Sequence, residues 1–344
     1  MTHPALSLAL ASGAAALLAA LWPLALRRKN ALRFLLCLSM LVAGLLAVAG
    51  GVLGLTGDTA AIILPVGLPW LPMHLQLDAL GAFFLLLIGI VLAPVSIYSF
   101  GYLRGRSDIA TLAVFMPLFV LGMQGVVLAN DAFSFMLFWE LMSVASYFLV
   151  TLEHDNAANR RAGFIYLLMA HLAGLLILGG FATLYASVHD FTFAAMRGAH
   201  LTPFWASVAF LLAAFGFGMK AGVLPLHVWL PEAHPAAPSN ISALMSGVML
   251  KVALFGFLRL VWDLLGPADF QWWWGVLILA AGTSTAFAGI LLALQQNDLK
   301  RLLAYSSVEN VGIILIGFGL SLLLAYFGHP QLAALGLIAA LYHA

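Results

Sequence analysis

The chain has 344 residues, 64% of them hydrophobic and 8% charged, with a formal net charge of +1 and a mean hydropathy of +1.08. No soluble domain hides that much apolar surface, and a charge so close to zero says nothing about acidic partners. Cys37 is the single cysteine and lies in an apolar run, which excludes a disulfide framework or a zinc site; no CxxC, strand-linked GxGxxG or phosphate-binding loop occurs either.

Apolar runs predict spans at roughly 5–26, 31–56, 75–101, 111–129, 131–152, 162–186, 203–224, 240–265, 272–295 and 301–325, with a shorter run at 331–344. The expected fold class is therefore all-α: a polytopic membrane protein with ten full transmembrane helices and a partial eleventh. The short alternating segments of a β-barrel are not expected. The longest connections fall near 57–74 and 187–202, and no short-period repeat is visible. The basic cluster Arg27-Arg28-Lys29 follows the first apolar stretch instead of preceding it, unlike a cleavable signal.

Basic residues orient these spans. With the amino terminus outside, Arg27, Arg28, Lys29, Arg33, Arg104, Arg106, Arg160, Arg161, Lys300 and Arg301 all fall in inward loops. Only Arg197 falls in an outward loop. Lys220, Lys251 and Arg259 lie within spans and need a separate reason.

A charge near the bilayer centre costs about 2.5–3.5 kcal/mol on insertion scales. Glu140 and Lys251 both sit near the middle of their spans, at one depth. Ser143 and Tyr147 follow Glu140 at helical spacing, a polar stripe. Gly247 and Ala243 precede Lys251 by four and eight residues, and Gly216 and Ala213 lie close to Lys220 in the same way. Small residues there admit a neighbouring helix or water. Static ion pairing is the competing reading, weakened by the poor net stability of buried pairs. Arg259, near the outer end of its helix, reads as a snorkelling anchor. His171 in the sixth span admits two readings, a packing histidine or a proton relay. Glu309, beside Asn310 in the tenth span, suggests a polar path.

Pro225, Pro231, Pro235 and Pro238 cannot share one helix. The seventh span must break just after Lys220, leaving that lysine in a last turn where the helix dipole favours a cation. A broken helix at membrane depth points to a transport site. Ser239 or Asn240 is expected to cap the next helix. His227, Glu232 and His234 lie in the break, where they either carry protons or occupy an inner loop.

The stretches FWELMSVASYFLV (138–150), KAGVLPLHVWLPEAHPAAPSNISALMSGVMLK (220–251) and NDLKRLLAYSSVENVGIILIG (297–317) resemble the antiporter-like, proton-translocating membrane subunits. These occur in complex I, in multisubunit sodium/proton antiporters and in membrane-bound hydrogenases. Within that family, 220–247 looks most similar to the membrane components of hydrogenase-4 and formate hydrogenlyase. The resemblance covers the chain from about residue 70. It implies three leading helices (1–105), then two inverted five-helix repeats, each with a broken helix. The first (106–268) is complete and the second (269–344) is not, so the chain is expected to be a fragment. It also implies that Glu140, Lys220 and Lys251 occupy the family's proton-translocating positions. Glu309 stands near where many relatives place a histidine.

On this reading the chain moves protons through a midplane axis of Glu140, Lys220 and Lys251, with His171, His227, Glu232, His234 and Glu309 as further path candidates. Glu140 and Lys220 are expected to pair and separate, releasing the lysine's proton towards Lys251. One charge moved against roughly 200 mV needs about 4.6 kcal/mol. That energy must come from elsewhere, since no catalytic centre, cofactor or metal site is expected in this chain. The implied partners are other membrane subunits and a peripheral hydrogenase or dehydrogenase arm carrying iron–sulfur and nickel–iron or flavin centres, in a bacterial inner membrane. The competing functions are a subunit of a sodium/proton antiporter and a non-transporting membrane anchor for a peripheral hydrogenase. The proposed topology is directly testable. In a Cys37→Ala background, a cysteine placed at position 106 should label only from the inner side of sealed cells, and labelling from outside would refute the orientation.

Overall fold

The computed structural model describes residues 3–344. Helices α1 (Pro4–Ala25) and α2 (Lys29–Leu55) precede a hairpin of β1 (Ala60–Leu68) and β2 (Leu71–Leu77). Then come α3 (Ala79–Tyr102), α4 (Ile109–Leu128), α5 (Ala132–Val150) and α6 (Ala157–Val188). A short α7 (Phe193–Met196) leads to α8 (Pro203–Ala221). A short α9 (Leu230–Ala236) lies in the break before α10 (Ser239–Leu265), α11 (Trp272–Leu294), α12 (Leu299–Tyr326) and α13 (Pro330–His343). Ten of these helices, among the described residues, are long and apolar enough to cross a membrane. Each matches an expected span, and α13 matches the short run at 331–344.

The connection expected at 57–74 is instead an antiparallel hairpin, and the third span starts four residues later than its apolar run suggests. Along β2, Leu71, Met73, Leu75 and Leu77 are buried while the residues between them are partly exposed, the period-2 pattern of a half-buried strand. The register runs from Ala60 opposite Leu77 to Leu68 opposite Leu71, with an irregularity between Leu64 and Gly67. Pro65 sits in that irregularity and has no N–H to give to the ladder. Lys300 and Arg301, expected in a loop, belong to the first turn of α12.

The chain folds as two compact units. The first comprises residues up to Leu167 together with Ala236–Phe255. Here Gln124 on α4 donates to the Ser12 hydroxyl on α1 (2.8 Å), which donates to the Ala43 carbonyl on α2 (2.7 Å). All three helices are thus tied by bonds that lipid cannot supply. The hairpin is fastened to α5 by one carboxylate. Asp131, fully buried at the helix N-cap, accepts from the Ser134 N–H and hydroxyl and from the His74 N–H of β2 at 2.9 Å.

The second unit comprises Leu168–Pro235 with Gly256–Ala344. Its aromatic centre is Phe210 stacked on Trp274, ring centroids 4.4 Å apart. Its closest helix contact is a glycine seam. Gly275, Gly282 and Gly289 on α11 recur every seven residues and face Gly312, Gly319 and the Glu309 backbone on α12. A Cβ at Gly319 would stand 2.6 Å from the Leu279 nitrogen, and one at Gly289 2.7 Å from that of Glu309. The two backbones touch because no side chain intervenes.

Arg259 is not a snorkelling anchor. It is 4% exposed, and its guanidinium donates to Asp263 at 2.8 Å. Arg197 grips the same carboxylate through two nitrogens at 2.7 and 2.9 Å. One acid one turn along α10 therefore holds both arginines, which also accounts for the basic residue of the connection before α8.

Replacing Asp131 with alanine removes a helix cap and strands the donors it serves. The expected loss is about 2–4 kcal/mol, read as a lower thermal midpoint of the purified chain in detergent. Asp131→Asn should lose less, and an unchanged midpoint in Asp131→Ala would contradict the anchoring role.

Candidate functional site

The first unit holds Glu140 and Lys251. Glu140 is half-buried on α5 and heads a stripe that continues through Ser143 and Ser146, both fully buried. The expected stripe ran through Ser143 and Tyr147. The structure adds Ser146, whose hydroxyl meets that of Tyr166 on α6. Tyr166 is fully buried, lies within electrostatic range of Glu140, and its hydroxyl approaches Met249 of α10 at 3.7 Å. Sequence reasoning missed this tyrosine. The available signal was a phenol within an apolar run, since a buried phenol needs a polar partner.

Lys251 follows a π-helical segment, Met245–Met249. Its ammonium donates to the Ser246 carbonyl at 3.0 Å, five residues back. The wider π turn leaves that carbonyl within reach of the side chain. This segment revises the face expected for Lys251. The four-residue spacing that grouped it with Gly247 belongs to an uninterrupted α-helix, whereas Gly247 packs towards Val91 of α3. The expected side-chain caps of α10 are absent as well. Pro238 occupies the N-cap, the Ser239 N–H donates to the Tyr102 hydroxyl at 3.1 Å, and the Asn240 amide donates to Ser99 at 3.2 Å. Proline, which has no side-chain acceptor, took the position ahead of both candidates.

The second unit holds Lys220 and the break. Helix α8 ends at Ala221, with Lys220 in its last turn, 1% exposed. Gly222 caps it in the left-handed conformation (φ 82°), and a Cβ there would lie 2.6 Å from Leu230. Gly216, one turn before Lys220, lies against Ile177 and the Ala173 carbonyl of α6, the close neighbour that its small size admits.

Polar groups released by the break find protein partners. The Trp229 indole donates to the Met219 carbonyl at 2.8 Å. The Leu224 N–H donates to the Thr285 hydroxyl on α11 at 3.1 Å, and that hydroxyl donates to the Ala281 carbonyl at 2.6 Å. Neither Trp229 nor Thr285 was singled out from the sequence, because their partners are backbone atoms brought close only by folding.

The other candidates are placed unequally. His227, half-buried, faces the ring of Tyr305 with centroids 6.2 Å apart. His234 is 3% exposed and lies beside Trp229. Glu232 pairs with Arg301 at 2.9 Å, and Lys300 donates to the Pro235 carbonyl at 3.3 Å, so two basic residues of α12 hold α9. His171 occupies an exposed position on α6. Glu309 packs over Gly289, while its neighbour Asn310 contacts His343 at 2.9 Å. Chemically, each unit presents a lysine beside disrupted helical hydrogen bonding, in a setting otherwise suited to lipid.

A family model described as NADH:quinone oxidoreductase/Mrp antiporter, TM, matches residues 129–337. Hydrogenase-4 component B of Escherichia coli (strain K12) is 39% identical over 89% of this chain and 47% of its own length. Formate hydrogenlyase subunit 3 of the same strain is 31% identical over 91% of this chain and 51% of its own length. The chain thus spans about half the length of these relatives. Among solved structures, a subunit of the membrane-bound sulfane sulfur reductase, an archaeal respiratory membrane complex, superposes with a TM-score of 0.78 at 23% identity. That match covers 99% of this chain and 71% of the other, and it speaks to the fold.

Thr285→Val keeps the side-chain shape but leaves the Leu224 N–H without its acceptor. The expected cost is about 1–3 kcal/mol, confined to the break. Amide exchange at 223–229 should accelerate roughly 10- to 100-fold, with the exchange of α11 little changed. Unchanged exchange there would remove Thr285 from the account.

Proposed function

The chain belongs to the NADH:quinone oxidoreductase/Mrp antiporter transmembrane family, and on that premise we propose that it is a proton-translocating membrane subunit of a redox-driven complex of the hydrogenase-4, formate hydrogenlyase or complex I type. It is a multi-pass membrane protein. We place it in a bacterial inner membrane with its amino terminus outside, alongside other membrane subunits and a peripheral hydrogenase or dehydrogenase arm. That arm supplies the electron chemistry. Segments 1–105, 106–268 and 269–344 serve as the leading helices, a first repeat and the start of a second.

The observation that carries this reading is Lys220. A lysine 1% exposed in the last turn of a broken transmembrane helix is costly to keep, and intramembrane ionisable residues mark ion pathways. The carbonyl end of α8 is a favourable place for a cation. Lys251, beside its π turn, and Glu140, at the head of the Ser143–Ser146 stripe, are the other proposed carriers. His227, His234, Glu232, His171 and Glu309 remain candidates for connecting positions, with Glu232 committed to Arg301 in this arrangement.

Glu140→Gln, Lys220→Ala and Lys251→Ala, each introduced into the complete complex, should lower proton translocation at least tenfold while assembly persists. Quinacrine-type quenching in inverted vesicles, run with and without sodium, checks this. Flux that requires sodium would move the chain to the antiporter class. Undiminished pumping in an assembled Lys251→Ala complex would favour a membrane anchor.

A further inference from the structure

Away from the broken helix, the first unit has a cavity of about 700 Å³ at the ends of four spans, unused by the proposed proton path. It is lined by the start of α2 (Arg28, Lys29 and Arg33 among others) and by the turn between α3 and α4, with Arg106 and Ser107. Its charge is one-sided. Arg106 is held by Asp108 at 2.6 and 2.8 Å and reaches Glu153 at 3.4 Å. The Arg106 bonds in turn hold the Asp108 carboxyl below the usual carboxylate range. Both acids are therefore already engaged. Among the described residues, Arg28, Lys29 and Arg33 have no carboxylate partner, and the Arg33 Nε is buried without a hydrogen-bond acceptor. The α2 N-cap, Arg28, makes no side-chain cap, so the first-turn N–H groups of a 27-residue helix add their partial positive charge.

Depth identifies the occupant. The cavity opens where α1 and α3 end and α2 and α4 begin, the level at which a bilayer carries its headgroups. Below it, exposed apolar side chains continue along the same helices: Phe34 (53% exposed) and Leu38 on α2 and Ile97 (60%) on α3. A ligand that fits is anionic at one end and apolar at the other. We infer that this cavity binds the phosphate headgroup of an anionic phospholipid, with Arg28, Lys29 and Arg33 as its donors and the outer faces of α2 and α3 receiving its acyl chains. A free phosphate shares the headgroup chemistry but makes no use of the apolar faces.

The full chain in nanodiscs, titrated with phosphatidylglycerol against a phosphatidylcholine background, tests this. Arg28→Gln, Lys29→Gln and Arg33→Gln should each weaken phosphatidylglycerol binding about fivefold, and the three together roughly a hundredfold. The exposed pair Arg160→Gln and Arg161→Gln should change it little. Equal affinity in the triple variant would overturn the site, and so would displacement of the lipid by millimolar inorganic phosphate. Should the triple variant not fold, the unaltered chain still gives the answer. Acetylation of Lys29 should be slower in phosphatidylglycerol than in phosphatidylcholine discs, and equal rates in both would sink the assignment.

Discussion

A helix in hydrocarbon satisfies its own backbone, and any interruption must be made good by protein. That constraint organises the second unit. Four prolines between Lys220 and Ser239 forbid continuation of α8, so carbonyls and N–H groups are released beyond its end. Trp229 and Thr285 take up two of them and Gly222 turns the chain. Arg301 and Lys300 then pin the short α9. The break is a constructed element with its own partners on α11 and α12, and Lys220 sits at its edge because the helix stops there.

The same solvent sorts the charged residues into two kinds. Asp263 with Arg197 and Arg259 is a closed set: one carboxylate, two guanidinium groups and short bonds, with Arg259 buried. Such a set holds loop and helix together and gains nothing from releasing a proton. Lys251 donates instead to the Ser246 carbonyl, an interaction that a neutral amine can keep in weakened form. A proton carrier needs the second arrangement, since its neutral state must also be tolerable.

Legibility in the sequence followed the range of the interactions. All ten spans were readable because twenty apolar residues in a row have one stable solution in lipid. The end of α8 was readable because proline acts on its own helix. The hairpin was readable in principle: Leu71, Met73, Leu75 and Leu77 alternate, but the apolar run of α3 begins so close behind that the alternation merges into it. Thr285 was not readable, and Tyr166 only as a phenol in need of a partner, since their partners lie more than sixty and at least twenty residues away. Arg259 misled because depth along a helix says nothing of a carboxylate one turn on that an arginine from another loop also seeks.

The first of two π segments in α10, the other being Arg259–Leu265, bears on how this span can move. Met245–Met249 holds more chain per turn than an α-helix needs, and the surplus is local. An α-helical residue turns through about 100°. If the wide turn migrated past Lys251, the stretch it crossed would swing through about that angle while Ser239 and Leu265 kept their places. The ammonium would leave the Ser246 carbonyl and face a different neighbour, with every other turn of the helix intact. The slack needed to re-aim one side chain is thus already wound into the span, next to the residue it would turn.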